Sequence, residues 1–202
     1  MLHNELVNIS DAEFKEKLAE HKVRRENLVT RIYAVFAGVT REGGVSWSEA
    51  DFLDGPPRKI ADRLKYRAND NDENWESLVE DPKFKFGPGI GGLGFLDAVG
   101  FRYYLAPSMI RALRGEDRLD LEHFLRWRHD NPRTELVHRP GFRLQLSTAF
   151  PFILLVQDED PTNWNRWYCF TDDQMSCVEE FEELIAESDQ WGFQAYVSGH
   201  IP

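Results

Sequence analysis

Most apolar residues in this chain recur three or four positions apart, between short polar segments that look like helix caps. Ser10 is followed three residues later by Glu13, which is the spacing of a capping box, and Thr171 is followed in the same way by Gln174. Apolar residues between 175 and 185 then recur at helical spacing. This periodicity constrains the fold most strongly, because it predicts a chain that is mostly helical.

Segments late in the chain depart from the helical pattern. Residues 142–147 alternate between apolar and polar, residues 152–156 form a short apolar run, and residues 191–197 alternate again. We expect residues 152–156 to pair with residues 166–170 as a hairpin. The predicted fold class is mainly α (α+β): a single helical domain with a small antiparallel β element in the C-terminal third.

The length of 202 residues suits one domain, so we expect residues 1–202 to form a single unit. Aromatic residues make up 13% of the chain, which supplies large side chains for a packed core. Those in the apolar phase of their segments are predicted to be buried: Phe36, Trp75, Phe95, Phe101, Tyr104, Phe124 and Phe181.

The net charge of −11 is unevenly distributed. Residues 157–190 contain eleven of the 35 acidic residues but only one of the 24 basic ones, Arg166. Such a surface does not favour nucleic acid, whose binding depends on Lys and Arg, and it does not favour an anionic membrane. A basic protein is the partner that charge complementarity predicts.

The predicted partner-binding residues lie in this acidic window. Three of them recur at four-residue spacing on the predicted last helix, where neighbouring like charges cost about 0.2–0.5 kcal/mol per pair and no base on that helix relieves them. A basic partner would do so, although a solubilising surface explains the same pattern. The candidate residues are Asp158, Glu159, Asp160, Glu179, Glu183 and Glu187.

Location is predicted from composition. The chain contains no apolar run of the roughly 20 residues that a membrane helix needs, and its first residues lack the pattern of a signal peptide. The two cysteines suit a reducing compartment. We therefore expect a cytoplasmic protein.

The sequence contains partial matches to cofactor and metal motifs, but none of them is complete. Residues 87–92 fit a glycine-rich dinucleotide pattern, yet the preceding segment is too short and too basic for a buried strand. The histidines and cysteines match no zinc spacing. We expect no cofactor and no metal.

An arginine beside two tyrosines is the alternative candidate site. Arg102, Tyr103 and Tyr104 follow the glycine-rich segment, and His123 lies on the next predicted helix. Together they could form the pocket of a small hydrolase or transferase, although no nucleophile–base signature is complete. A structural role for Arg102 in an ion pair explains the same residues.

Residues 95–109 (FLDAVGFRYYLAPSM) resemble the F-L-x-x-x-G-F-R-Y-Y-L-P-A-Y-M signature of a family of bacterial domains of unknown function. Residues 32–39, 72–75 and 170–181 are similar to that family's first helix, its acidic segment before a tryptophan and its final capped helix. Against this pattern, residues 138–165 are an insertion. The resemblance implies a mainly helical cytoplasmic domain and assigns no catalytic residues.

These observations leave three functional hypotheses. The first is a non-enzymatic acidic binding module, of immunity or antitoxin type, that engages a basic protein. The second is the small hydrolase or transferase with its site near Arg102. The third assigns nothing beyond a soluble helical domain. The sequence favours the first, leans against an enzyme and does not indicate an oligomeric state.

Overall fold

The computed structural model describes residues 10–54, 62–70, 74–84, 92–116, 121, 125, 143–146, 153–156, 167 and 169–197. Its helices are α1 (Asp11–Val35), α2 (Trp47–Asp54), α3 (Arg63–Arg67), α4 (Glu76–Val79), α5 (Ala98–Leu113) and α6 (Asp172–Val197), with a 3-10 turn at Gly92–Phe95. Contacts divide the chain into two compact units, residues 1–35 with 173–202 and residues 36–172. The single domain and the insertion at 138–165 stay predictions.

The first unit is built on the two longest helices. α1 begins after Ser10, whose hydroxyl accepts the amide of Glu13 at 3.3 Å, as the capping box predicts. Its 25 residues form one continuous helix. His21 is a buried residue of this helix, so the buried side of α1 continues through a position that is not aliphatic.

The second unit is organised around α5, which is almost entirely buried. Asp97 caps this helix by accepting the amide of Gly100 at 2.8 Å. The helix therefore begins at Ala98, and Pro107 lies inside it. Because proline has no backbone N–H, α5 lacks one helical hydrogen bond at this position.

Several predicted core residues are confirmed in their positions. Five of the predicted aromatic side chains are at most 1% exposed: Phe36, Trp75, Phe101, Tyr104 and Phe181. Phe95 is only half-buried, and Phe124 lies outside the described residues. The aromatic pattern therefore located much of the core.

The predicted α+β fold class is wrong. The helical body of the chain, which does not include residues 143–146 and 153–156, is 73% helix and contains no strand. Of the predicted hairpin partner at 166–170, Trp167, Cys169 and Phe170 are described, and they lie in a turn. Apart from the helical body, Arg143–Leu146 and Ile153–Val156 pair with each other in antiparallel register.

A second correction concerns the end of the chain. Residues 191–197 were expected to alternate as a strand, but α6 continues through them to Val197. Alternation over so few residues is also compatible with a helix, and the helix already established from Asp172 favours its own extension. The final segment is therefore helical.

Candidate functional site

Two ion pairs join α1 and α6. Arg24 Nη1 lies 2.9 and 2.7 Å from the two carboxylate oxygens of Glu187, and Arg31 Nη1 lies 2.8 Å from Glu180 Oε2. The partner number on α6 falls as the number on α1 rises, so the two helices are antiparallel. The side chains of Arg24 and Glu187 remain 42% and 34% exposed, so water weakens this attraction.

Further contacts extend the seam between α1 and α6 beyond the two ion pairs, in both directions along the helices. His21 Nε2 lies 2.9 Å from the carbonyl oxygen of Leu184, and its ring meets Trp191 edge-on with centroids 4.9 Å apart. At the other end Gln174 donates to the carbonyl of Val35 at 3.3 Å. The seam therefore combines polar contacts along its whole length.

The three glutamates that recur at four-residue spacing on α6 are not all in the surroundings that the sequence predicted. Glu179 and Glu183 are exposed on α6, as expected, but Glu187 is half-buried against Arg24. These three glutamates were expected to have no basic residue nearby, because α6 contains no lysine or arginine. That premise is wrong, because α1 supplies the bases across the seam.

Arg24 responds to this acidic environment. The hydrogen bond that Arg24 donates to Glu187 is the main cause that raises the pKa of Arg24, with further attraction from Glu180 and Glu183. Glu183 thus acts on Arg24 electrostatically although it remains exposed. The three other predicted partner-binding residues, Asp158, Glu159 and Asp160, lie outside the described residues.

The alternative site does not assemble as a group of accessible side chains. Tyr103 and Tyr104 are 0% and 1% exposed, and the Tyr104 hydroxyl accepts the amide of Trp47 at 3.1 Å. Burial raises the pKa of Tyr103 to about 12 and also raises that of Tyr104, so both phenols stay protonated at neutral pH. These two residues are part of the core.

Arg102 contacts the turn that contains Cys169. Its Nη1 donates to the carbonyl of Cys169 at 2.8 Å, and its Nη2 lies 3.8 Å from Glu42 Oε1. This is the structural role that the sequence left open for an arginine beside aromatic residues. His123 lies outside the described residues.

A buried polar cluster was missed by sequence reasoning. Glu49, only 1% exposed, accepts the amide of Ser46 at 3.0 Å and pairs with Arg63, while the Ser46 hydroxyl accepts the amide of Glu49. This is a complete capping box at the start of α2. The spacing of Ser46 and Glu49 in the sequence does not reveal that this cap is buried.

Asp97 ties the same region to α5. Besides capping that helix, its Oδ1 accepts the amide of Val45 at 3.0 Å. Burial is the main cause that raises the pKa of Asp97, and the nearby charge of Glu49 adds to it, while the two amide hydrogen bonds oppose the shift. Asp97 lies two residues after the Gly92–Phe95 turn, and nothing in the sequence indicates that it contacts Val45.

Two glycines, Gly44 and Gly100, allow the segment at Gly44 and Val45 to lie close to the start of α5. A Cβ on Gly44 would lie 2.8 Å from the amide nitrogen of Gly100, and a Cβ on Gly100 would overlap the carbonyl oxygen of Val45. Gly100 is also the glycine of the signature-like segment at 95–109. A physical reason for glycine there is therefore the approach of the chain at Gly44 and Val45.

The cysteines are both free. Burial raises the pKa of each thiol, so the reactive thiolate is disfavoured at Cys169 and Cys177 alike. Among the side chains that the structure describes, no group of three or more could hold a metal ion. Within the same residues, no helix has the length and apolar character needed to cross a membrane.

The chain belongs to a family of unknown function, DUF6714, which it matches over residues 24–198. This agrees with the resemblance to a family of unknown function, and the match covers most of the chain. No curated protein and no solved structure matches it. The family brings no activity with it, so a functional proposal depends on the geometry of the described residues.

Proposed function

We propose that this protein is a non-enzymatic binding module whose acidic α6 surface engages a basic protein partner. The observation that carries the proposal is the charge of α6, which contains eight acidic residues and no lysine or arginine. Glu179 and Glu183 are exposed on this helix and form the centre of the proposed surface.

The ion pairs with α1 limit the surface without neutralising it. Arg24 and Arg31 offset Glu187 and Glu180, so we assign those two glutamates to the seam between the helices. The remaining acidic residues of α6 still give it a strong negative excess. Such a potential attracts a positively charged partner and speeds its association, and the effect weakens as salt shortens the screening length from about 10 Å at 0.1 M to about 3 Å at 1 M.

The finer features of this proposal rest on the sequence. We infer that Asp158, Glu159 and Asp160 extend the surface. We also infer that the protein acts in the cytoplasm and covers a basic target in the way that an immunity or antitoxin protein does. We also infer that residues 95–109 are the family's signature, whose glycine permits the close approach described at Gly100.

The test compares two double charge reversals. Glu179→Lys with Glu183→Lys changes the proposed surface, whereas Glu16→Lys with Glu20→Lys changes two exposed glutamates of α1 and adds the same charge. Glu187 is left unchanged, because a lysine there would face Arg24 and would disturb the seam itself.

Each protein is used to capture partners from its native cell at two salt concentrations, after circular dichroism has shown equal helix content. We expect wild type and the α1 variant to retain a basic partner that the α6 variant loses, with weaker capture at high salt. Identical partners for all three proteins would show that α6 is only a solubilising surface.

A further inference from the structure

The side of α1 that faces away from α6 carries an exposed mixed surface. Leu18 and Val23 are 51% and 56% exposed, and of the large hydrophobic residues in the described chain only Leu64 is exposed besides them. Between and beside them lie exposed alanine, lysine and glutamate side chains. We call this surface the outer face of α1, and it consists of Lys15, Leu18, Ala19, Lys22, Val23 and Glu26.

Helix geometry makes these residues one continuous stripe. Lys15, Ala19, Lys22 and Glu26 follow at spacings of four, three and four, which places them along one side of a helix. Leu18 and Val23 flank that line on opposite sides. The residues that meet α6 lie on another side of α1, so the outer face is not used by the seam.

The outer face is complementary to itself when it is reversed. Lys15 and Glu26 lie at equal distances from a point between Glu20 and His21, and Leu18 and Val23 are centred on that same point. Two copies of α1 placed antiparallel about that point would bring Lys15 opposite Glu26, Leu18 opposite Val23 and Ala19 opposite Lys22.

We propose that this protein forms a symmetric dimer in which the outer faces of two α1 helices pair in antiparallel orientation. A twofold axis uses the same patch on both copies, so Lys15 of each copy pairs with Glu26 of the other. Near the axis Ala19 of each copy faces Lys22 of the other, and its small side chain leaves room for the lysine. The second copy covers Leu18 and Val23, and this burial provides the apolar part of the attraction.

The contact is small, because each copy contributes one helix. Interfaces that bury little surface form weak and reversible complexes, so the dimer is expected to depend on concentration. All of the outer face except Glu26 precedes residue 24, where the family match begins. The proposed dimer is accordingly a property of this chain's own N-terminal helix, and it does not depend on the proposed function of α6.

The test is sedimentation of the full chain from about 1 μM to about 1 mM, the concentration range of weak complexes. We expect wild type to shift from monomer to dimer within that range. Lys15→Glu alone and Glu26→Lys alone each turn two attractive contacts into repulsive ones, and each should weaken the dimer about tenfold. The double variant Lys15→Glu with Glu26→Lys restores opposite charges and should recover dimerisation.

A second variant tests the apolar contact without changing charge. Leu18→Ser should weaken the dimer and leave the helix content of the monomer unchanged, because Leu18 is already exposed there. A wild-type chain that remains monomeric throughout the range would overturn the proposal. A dimer that is insensitive to these variants, or that the charge swap does not recover, would overturn it equally.

Discussion

The pairs Arg24–Glu187 and Arg63–Glu49 join the same chemical groups in two different surroundings. Glu187 is 34% exposed on a helix surface, whereas Glu49 is 1% exposed within the capping box of α2. Arg63 is 28% exposed and Arg24 is 42% exposed, so both arginines keep some contact with water. The carboxylates, and not the arginines, make the two sites different.

This difference shows that an ion pair's geometry does not tell its energetic role. A buried carboxylate that loses its partner is left in a medium that solvates charge poorly, so removal of one partner is costly. An exposed carboxylate that loses its partner returns to water, and little changes. We therefore expect the polar cluster at Glu49 and Asp97 to hold the second unit together and the seam of the first unit to tolerate change.

The largest expected effect is at Gly100. Gly100→Ala places a methyl group against the Val45 carbonyl oxygen, and the backbone must move to accommodate it. Overpacking of this kind costs about 3 kcal/mol or more of the free energy of unfolding, which urea denaturation measures. Gly115→Ala is the control, because Gly115 has φ +96° and open space around it, so only about 1 kcal/mol of backbone strain is expected.

The next effect is at Glu49. Glu49→Gln keeps the shape of the side chain but removes the charge that Arg63 and Arg67 share, and these two arginines are only 28% and 25% exposed. Because both are left without their buried carboxylate, we expect a loss of about 2–3 kcal/mol in the free energy of unfolding. The Ser46 amide can still find a side-chain oxygen, so the cap is weakened and not abolished. A loss no larger than that of Glu187→Gln would break the comparison between the two sites.

A smaller effect concerns pH and Asp97. The native state raises the pKa of this carboxyl above 3.8, so the folded chain holds its proton more tightly than the unfolded chain does. Its contribution to stability is therefore fully present below pH 3.8 and is lost as the pH rises through the raised folded value. Asp97→Asn removes this contribution and keeps an oxygen that can accept the Val45 and Gly100 amides.

The measurement is the difference in unfolding free energy between wild type and Asp97→Asn across acidic pH. We expect wild type to lose stability relative to the variant as pH increases above 3.8. A difference that stays constant with pH would mean that Asp97 titrates in the folded chain as it does in the unfolded one.

The smallest effect is at the exposed seam. Glu187→Gln removes the pair with Arg24 and should lower the free energy of unfolding by less than about 1 kcal/mol, because both side chains are partly exposed. Glu183→Gln removes the same charge from the same helix and serves as control. The difference between the two variants should shrink as salt is added, and a difference that persists at high salt would show that the seam is shielded from water.

Part of this molecule could be predicted from sequence because local rules decide it. The capping boxes at Ser10 and Thr171 located the starts of α1 and α6, and the apolar phase located Phe36, Trp75 and Phe181 in the core. These features depend on residues within a turn or two of each other. Sequence spacing carries that information directly.

The features that could not be predicted depend on residues far apart in the chain. The sequence predicted that no base relieves the charge of Glu187, because Arg24 belongs to another helix. It also predicted a pocket at Tyr103 and Tyr104, because residue spacing does not show that α5 is buried on nearly all sides. The hairpin at 152–170 failed for a related reason. An apolar run predicts a buried segment but does not specify which strand pairs with it.

The separation of 163 residues between Arg24 and Glu187 has a consequence for how the chain folds. The ribosome releases α1 before α6, so α1 must wait for the synthesis of the intervening residues before its partner exists. Closing so long a loop costs entropy that only the finished seam repays. Nascent chains that stop short of α6 would therefore carry an unpartnered α1, and completion of the last helix is the event that closes the first unit.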